Sequence, residues 1–269
     1  MSDLRFGPSG LPSGSPAEAV ATLLGHGFTA CEVSFARRYP AKPLAAELGR
    51  VAREAGIMLS VHAPLFAFPG NTDEAKRRQA ASNMDHTAGL ARLLGAELVV
   101  IHPGFHLGRT PHDAIRDVVD HLREVEERLR AKDRLMPFGV EVMGRVRDLG
   151  TLEDVVAIAR QVDWVRPVID FAHLQATSDG ALREAADFAL VLERARTALG
   201  PAERLHIHFS DIHYANRNED RHLPYGEGDL RAEPLREALA TFDHPVTVIS
   251  ESPNLESHLE IGRILGVVG

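Results

Sequence analysis

Short apolar runs typical of β-strands alternate with amphipathic helical segments along the whole chain. The eight predicted strands cover residues 4–7, 30–35, 58–62, 97–102, 138–142, 165–171, 204–210 and 246–251. The predicted helices cover residues 16–26, 44–55, 73–94, 111–132, 152–161, 181–199, 233–242 and 256–265. Apolar strands that are each followed by a helix indicate a parallel sheet covered by helices. A count of eight favours an α/β fold closed into a (β/α)8 TIM barrel.

The length of the chain fits one such barrel. A (β/α)8 barrel typically needs about 250 residues, and this chain has 269. We therefore expect a single TIM-barrel domain over residues 1–269. An open, doubly wound sheet is the alternative, but the glycine-rich fingerprint of dinucleotide-binding folds is missing after the first strand. The segment Gly7-Pro-Ser-Gly10 has too few glycines for it.

The composition of the chain limits the cellular compartment and the classes of binding partner that we expect. Cys31 is the only cysteine, so intrachain disulfides are excluded and a reducing compartment fits. No apolar run has the length of a membrane span, and Met1-Ser-Asp-Leu-Arg5 lacks a signal-peptide layout, so we expect a cytoplasmic protein with no membrane partner. The formal net charge of -8 argues at first against nucleic acid. Three divalent cations would bring the sum, -8 plus 6, to -2 and would reverse the local field.

Candidate functional residues stand where a barrel places its chemistry, at the carboxyl ends of the strands. Each predicted strand from the third to the eighth ends in His, Asp or Glu. These residues are His62, His102, Glu141, Asp170 with the nearby His173, His208 and Glu251. Almost no Lys or Arg accompanies them, so the carboxylates among them would repel one another unless cations balanced their charge. The structural alternative is that Asp170 and Glu251 cap helices or pair with Arg166 or Arg221.

The polar stretch after the seventh strand adds two candidate ligands. Residues i and i+2 of an extended segment face the same way, so Asp220 and His222 could hold one cation between them. With these, nine nitrogen and oxygen donors are available and no cysteine is near. That number is too large for one tetrahedral ion and fits two or three ions of zinc or manganese. His106, His206 and His213 are candidates for supporting the ligands or contacting substrate.

These motifs, in this order, resemble endonuclease IV, the apurinic/apyrimidinic endonucleases within the xylose-isomerase-like barrel superfamily. The similar segments are Ser60-Val-His-Ala-Pro64, Ile101-His-Pro-Gly104, Gly139-Val-Glu-Val-Met143, Ile169-Asp-Phe-Ala-His173, His208-Phe-Ser-Asp211, Asp220-Arg-His222 followed by Gly226-Glu-Gly228, and Ile249-Ser-Glu-Ser-Pro253. They extend from about Ser60 to Pro253. The resemblance implies three Zn²⁺ ions per chain, with Mn²⁺ possible in some sites.

The resemblance also implies how the nine donors divide among the three ions. One zinc would be held by His62, His102 and Glu141, and Glu141 would bridge to a second zinc. The second would be completed by Asp170, His208 and Glu251, and the third would be held by His173, Asp220 and His222. Glu141 would orient the attacking nucleophile, and we assign catalytic roles to Glu141 and Glu251.

The activity that the resemblance implies is hydrolysis of double-stranded DNA on the 5′ side of an abasic site, a step of base excision repair, by a monomeric enzyme. We predict substrate contacts from the loops on the functional face, at Arg37, Arg38, Tyr39, Phe66 and Arg221. Asn216 and Arg217 are further positioning candidates. Arg221 lies between two ligands and could reach a phosphate. Phe66 and Phe68 could wedge into a minor groove or simply close the barrel rim.

Two other functions remain open on the sequence. One is a sugar isomerase or epimerase of the same superfamily, which uses one or two divalent metals but leaves His173, Asp220 and His222 without a role. The other is a metal-binding barrel with no catalysis, which does not explain why the ligands lie at the reactive face. The loop Ala36-Arg-Arg-Tyr39 is shorter than the DNA-contact loop typical of endonuclease IV.

Overall fold

Strands and helices alternate through this computed structural model, which describes residues 3–36, 38–66 and 68–269. The strands are β1 (Leu4–Pro8), β2 (Ala30–Ser34), β3 (Met58–His62), β4 (Val99–Ile101), β5 (Phe138–Glu141), β6 (Val165–Asp170), β7 (Leu205–Phe209), β8 (Asp211–Ala215), β9 (Asn218–Leu223) and β10 (Val246–Ser250). The helices are α1 (Pro16–Gly25), α2 (Lys42–Glu54), α3 (Glu74–Leu94), α4 (Pro111–Ala131), α5 (Leu152–Ala159), α6 (Phe171–Thr177), α7 (Ala185–Arg196), α8 (Ala232–Thr241) and α9 (Leu255–Ile264).

Eight parallel strands form a nearly closed barrel, which confirms the predicted TIM-barrel fold. Their order is β1-β10-β7-β6-β5-β4-β3-β2. Between the two end strands, Ser9 and Glu32 form a parallel bridge, and the backbone N–H of Gly10 donates to the carbonyl of Glu32 at 2.8 Å. Gly7 permits this approach, because a Cβ there would lie 1.6 Å from the carbonyl oxygen of Ala30.

Local sequence signals explain where the helices begin. Ser15 and Glu18 form a capping box at α1, and Thr110 caps α4 ahead of a proline at the first helical turn. The buried faces of the helices pack on apolar strand residues, and the largest fully buried side chains include Phe6, Phe138 and Phe209. The eight predicted strands and eight predicted helices are all present, with ends shifted by a few residues.

Two elements of the structure were missed at the sequence level. Strands β8 and β9, which follow β7, form an antiparallel hairpin where we expected a polar loop. The helix α6 begins directly after β6, with Asp170 as its N-cap. Within the described residues, no helix is both long enough and apolar enough to span a membrane.

Candidate metal centre

The predicted ligands converge on a cavity of about 270 Å³ at the carboxyl ends of the barrel strands. Four sets of side chains there place ligand atoms within 4.8 Å of one another. We call the first set group one (His62, His102, Glu141), the second group two (Glu141, Asp170, His208, Glu251), the third group three (Asp170, His173, His222) and the fourth group four (Glu32, His206, His208). Eight of the nine predicted ligands therefore come together.

Glu141, at the end of β5, joins group one to group two. Its Oε2 lies 3.3 Å from Nε2 of His62 and 3.0 Å from Nε2 of His102. Its Oε1 lies 2.9 Å from Nδ1 of His208, and the same nitrogen is 3.7 Å from Oε1 of Glu251. Each oxygen of one buried carboxylate thus faces a different set of donors, which is the arrangement a bridging ligand needs.

The donor atoms fit divalent cations in spacing and in chemistry. Ligands that surround a tetrahedral zinc at ~2.0–2.1 Å lie about 3.3–3.4 Å apart, close to the spacings around Glu141. Nδ1 of His62 donates to the carbonyl of Ala63 at 3.0 Å, which directs Nε2 into group one. Oδ2 of Asp170 is one of the buried polar atoms of the described residues that have no hydrogen-bond partner, so it is available to a cation. Nitrogen and oxygen donors of this kind suit zinc or manganese.

Asp170 combines the two roles that the sequence left as alternatives. Its Oδ1 accepts a hydrogen bond from the backbone N–H of His173 at 2.8 Å and so caps α6. Its Oδ2 lies 3.4 Å from Nδ1 of His173, and it faces the pocket without a hydrogen bond. The basic partners that we considered are engaged elsewhere, because Arg166 pairs with Glu203 and Arg221 pairs with Asp220.

Asp220 does not join the pocket, which corrects the expected ligand set. Its side chain is 55% exposed and its Oδ2 lies 3.0 Å from Nδ1 of His213 and 2.7 Å from Nη1 of Arg221. The prediction assumed regular alternation along β9. The pairing of β8 with β9 instead shifts register between His213 and Tyr214, so the backbone of Asp220 is paired with no residue of β8 and the alternation is broken there.

All three residues of group four are buried, and its Glu32 was missed at the sequence level. Oε2 of Glu32, on β2, lies 3.0 Å from Nε2 of His206 and accepts a hydrogen bond from the Ser60 hydroxyl at 2.9 Å. Its Oε1 lies 3.1 Å from Nε2 of His208. The signal was present, because Glu32 is the single charged residue in the predicted strand Ala30 to Phe35 and a buried carboxylate there requires partners.

The buried carboxylates and imidazoles of this pocket shift one another's pKa. Burial acts to lower the pKa of His62, but the hydrogen bond and charge of Glu141 outweigh it and raise the pKa to about 9. The pKa of His173 is also raised to about 9, because the charges of Asp170, Glu141 and Glu219 outweigh burial. Burial acts to raise the pKa of Glu141, yet the charge of His208 and the neighbouring histidines hold it well below its usual range.

The predicted substrate contacts occupy different surroundings. Arg38 is exposed, and Phe66 is 61% exposed in the loop after β3. Tyr39 packs edge-on against Phe35 and His86, and its hydroxyl lies 3.4 Å from that of Thr87, so it is held against the barrel wall. Arg221 is largely exposed and ion-paired to Asp220. Arg37 lies outside the described residues.

The rim of the pocket carries apolar and basic side chains side by side. Five large apolar residues are exposed in the loops after β3, β4 and β5: Leu65, Phe66, Phe105, Leu107 and Val146. Phe105 packs edge-on against Phe68, with ring centroids 5.4 Å apart. Arg145 and Arg217 line a second cavity together with Val146, and Arg217 donates to the carbonyl of Thr177 at 2.7 Å.

Comparison with known proteins agrees with the TIM-barrel fold. The sequence profile of the family described as xylose isomerase-like TIM barrel matches residues 20–263. An uncharacterized protein of Methanocaldococcus jannaschii is 29% identical over 94% of this chain and 93% of its own length. A probable endonuclease 4 of Latilactobacillus sakei is 27% identical over 72% of this chain and 65% of its own length.

Solved structures of two kinds share the fold. A D-tagatose 3-epimerase-like protein superposes with a TM-score of 0.75 at 20% identity, covering 97% of this chain and 96% of its own. Endonuclease IV of Thermus thermophilus superposes with a TM-score of 0.71 at 19% identity, covering 97% of both chains. The resemblance to endonuclease IV is confirmed, at low identity. The chain belongs to the xylose isomerase-like TIM barrel family.

Proposed function

We propose that this protein is a metal-dependent phosphodiesterase that cleaves DNA at abasic sites, as the relatives named endonuclease 4 suggest. The observation that carries the proposal is the shared carboxylate of Glu141, with Oε2 turned to the histidines of group one and Oε1 turned to His208 of group two. Two complete donor sets joined by one bridging residue suit hydrolysis at phosphorus, in which adjacent cations act on the same phosphate.

Three zinc ions per chain are the proposed complement. Groups one and two would hold two of them, and His173 and His222 of group three would contribute to the third. When bound, they would lower the pKa of a water molecule and neutralise phosphate charge. Glu141 is the proposed group that orients the attacking nucleophile. Glu251 is the second proposed catalytic residue, since its carboxylate lies 3.7 Å from Nδ1 of His208 and 3.9 Å from Nε2 of His222.

The composition of the rim supports a DNA substrate. Exposed apolar side chains such as Phe66 can press into a minor groove, and neighbouring arginines can neutralise phosphates. Arg38 and Arg221 are the proposed phosphate contacts among the described substrate candidates, and Arg37 is proposed from sequence alone. Tyr39 packs against the wall, so its proposed part is to hold the loop that carries Arg38. An abasic nucleotide is the easiest one to turn out of the duplex toward such a pocket, because little stacking is lost.

A sugar epimerase or isomerase is the second candidate, favoured by one specific observation. Group two by itself supplies four donors for a single cation, and the cavity of about 270 Å³ is small enough for a monosaccharide. The epimerase-like structures share the fold at 20% identity or less. Group one and the histidines of group three have no evident role in that chemistry, so we rank it second.

The test is incubation of the purified, zinc-loaded protein with a duplex that carries one tetrahydrofuran abasic analogue. We expect a nick on the 5′ side of the analogue, lost after chelation and in Glu251→Ala. The matched control is Arg50→Ala, which changes an exposed side chain on α2 that pairs with Glu54 of the same helix. An uncut duplex at full zinc occupancy would overturn the proposal. Epimerisation of a keto-sugar by the same preparation would then support the second candidate.

A further inference from the structure

The hairpin of β8 and β9 presents an unexpected carboxylate to the metal centre. Ile212 pairs with His222 and His213 with Arg221, but the next residue of β8, Tyr214, pairs with Glu219. Asp220 is therefore the extra residue of a β-bulge. Because a bulge interrupts the alternation of side chains, Glu219 and not Asp220 lies on the same side of β9 as His222.

The two histidines near Glu219 are oriented by contacts on their far nitrogens. Nδ1 of His173 donates to the carbonyl of Val142 at 2.8 Å, since a carbonyl oxygen can only accept. Nδ1 of His222 lies 2.5 Å from the hydroxyl of Ser210. Both rings are thus held by their Nδ1 atoms, which leaves both Nε2 atoms as the coordinating nitrogens.

Both Nε2 atoms face the Glu219 carboxylate. Oε2 of Glu219 lies 3.3 Å from Nε2 of His173, and Oε1 lies 4.0 Å from Nε2 of His222. The two imidazole rings are 5.7 Å apart between centroids and nearly perpendicular. Ligands of one zinc at ~2.0–2.1 Å lie about 3.3–3.4 Å apart, so the Glu219–His173 spacing fits directly. The Glu219–His222 spacing is wider, so a bound cation requires these side chains to move closer together.

The backbone of the barrel fixes Glu219 in this place. Its N–H donates to the carbonyl of Gly144 at 2.8 Å, and Nε of Arg145 donates to its carbonyl at 3.3 Å. A Cβ on Gly144 would lie 2.6 Å from Oε2 of Glu219 and 2.7 Å from Cδ2 of His173. The absence of a side chain at residue 144 therefore makes the room in which Glu219 and His173 meet.

We propose that Glu219, together with Nε2 of His173 and Nε2 of His222, forms the third cation site, in place of the Asp220 that the motif predicts. The inference rests on the proposed metal centre but not on the DNA substrate. Glu251 connects this site to group two, because its Oε2 lies 3.9 Å from Nε2 of His222. Asp220 instead pairs with His213 and Arg221 on the exposed side of the hairpin.

Two neighbouring variants of the full chain test the inference, Glu219→Ala and its matched control Asp220→Ala. Each is reconstituted with zinc, desalted and analysed for metal per chain by mass spectrometry. We expect three zinc ions in the wild type and in Asp220→Ala, and two in Glu219→Ala. Cobalt reconstitution gives an independent readout, because the visible absorption of one tetrahedral site should disappear only in Glu219→Ala.

A loss of metal from Asp220→Ala with full occupancy in Glu219→Ala would overturn the inference. So would full occupancy in both variants, or fewer than three zinc ions in the wild type. Glu219→Gln keeps the size of the side chain and so distinguishes loss of a ligand from misfolding. This variant should also lose one ion, while the unfolding temperature of its metal-free form stays within a few degrees of the wild type. Metal counts do not depend on DNA cleavage, so an uncut abasic duplex would sink the proposed function and leave this inference standing.

Discussion

Glu32→Gln is the perturbation that best probes how the barrel supports its metal ligands. Glu32 is 1% exposed, and its carboxylate contacts His208, His206 and Ser60 at 3.1, 3.0 and 2.9 Å. Nδ1 of His208 faces Glu141 and Glu251, so Nε2 is the nitrogen that Glu32 orients. A carboxylate behind a ligating histidine fixes its ring and raises its basicity.

The expected effect is a weaker second cation site with the fold preserved. Loss of such a supporting carboxylate typically weakens metal affinity about 10- to 100-fold, or about 1.4–2.7 kcal/mol at ~1.4 kcal/mol per tenfold change. We expect the upper half of this range, because the amide introduced at position 32 would turn one donor toward an imidazole that also donates. Glu32 is also buried, so an unpaired group left beside it is costly.

The assay is competition for zinc between the metal-free protein and a chromophoric chelator. Glu32→Gln should weaken one of the bound ions by the stated factor and leave the others within twofold. The control Ser60→Ala removes only the hydroxyl that donates to Glu32, and about threefold or less is expected because both imidazole contacts remain. Unchanged affinity in a folded Glu32→Gln protein would refute the positioning role. Complete loss of one ion would also refute it, since Glu32 would then be a ligand itself.

Two further predictions concern stability and the hairpin. Burial lowers the pKa of His121 to about 4, so its neutral form contributes stability that is present above its unfolded pKa of about 6.5 and is lost as pH falls toward 4. His121→Asn should therefore reduce the change in the urea midpoint of unfolding between pH 7 and pH 5, whereas the exposed control His112→Asn should leave that change as in the wild type. Equal pH dependence in the wild type and in His121→Asn would contradict this prediction. Gly144→Ala should lower the zinc affinity of the third cation site at least about tenfold, because the added Cβ displaces Glu219. Competition with a chelator measures this affinity, and a wild-type value would show that the pocket accommodates the added Cβ without moving Glu219.

The barrel could be predicted from sequence because its elements are specified locally. Apolar runs such as 165–171 and caps such as Ser15 carry their own signals. The helix α6 was missed because it begins at the last residue of β6, so no polar linker separates strand from helix. The β8 and β9 hairpin was missed because its turn is Asn216-Arg217, both at positive φ, without the glycine that usually marks such turns.

The ligands at the ends of the parallel strands could be predicted from sequence, whereas the ligands on the β8–β9 hairpin could not. Parallel strands end at one edge, so His62, His102 and Glu141 had to be neighbours once the barrel was assumed. The face that a hairpin residue presents depends on register, and one extra residue exchanges Asp220 for Glu219. A sequence motif records neither the bulge nor the space at Gly144 that accommodates the exchange.

The clustering of the donors has two physical explanations, a metal centre and a network of ion pairs. The sequence argument held that a ring of carboxylates needs metal to balance its charge. Nearby carboxylates raise the pKa of His62, His173 and His208 against the effect of burial, so imidazolium ions are a second way to balance that charge. Charge balance therefore does not distinguish a metal site from a network of ion pairs. Donor geometry does, since Glu141 turns each of its oxygens to a separate set and the Nδ1 atoms of His62, His173 and His222 are held from behind. A network built only for stability has no need to aim three Nε2 atoms at shared points.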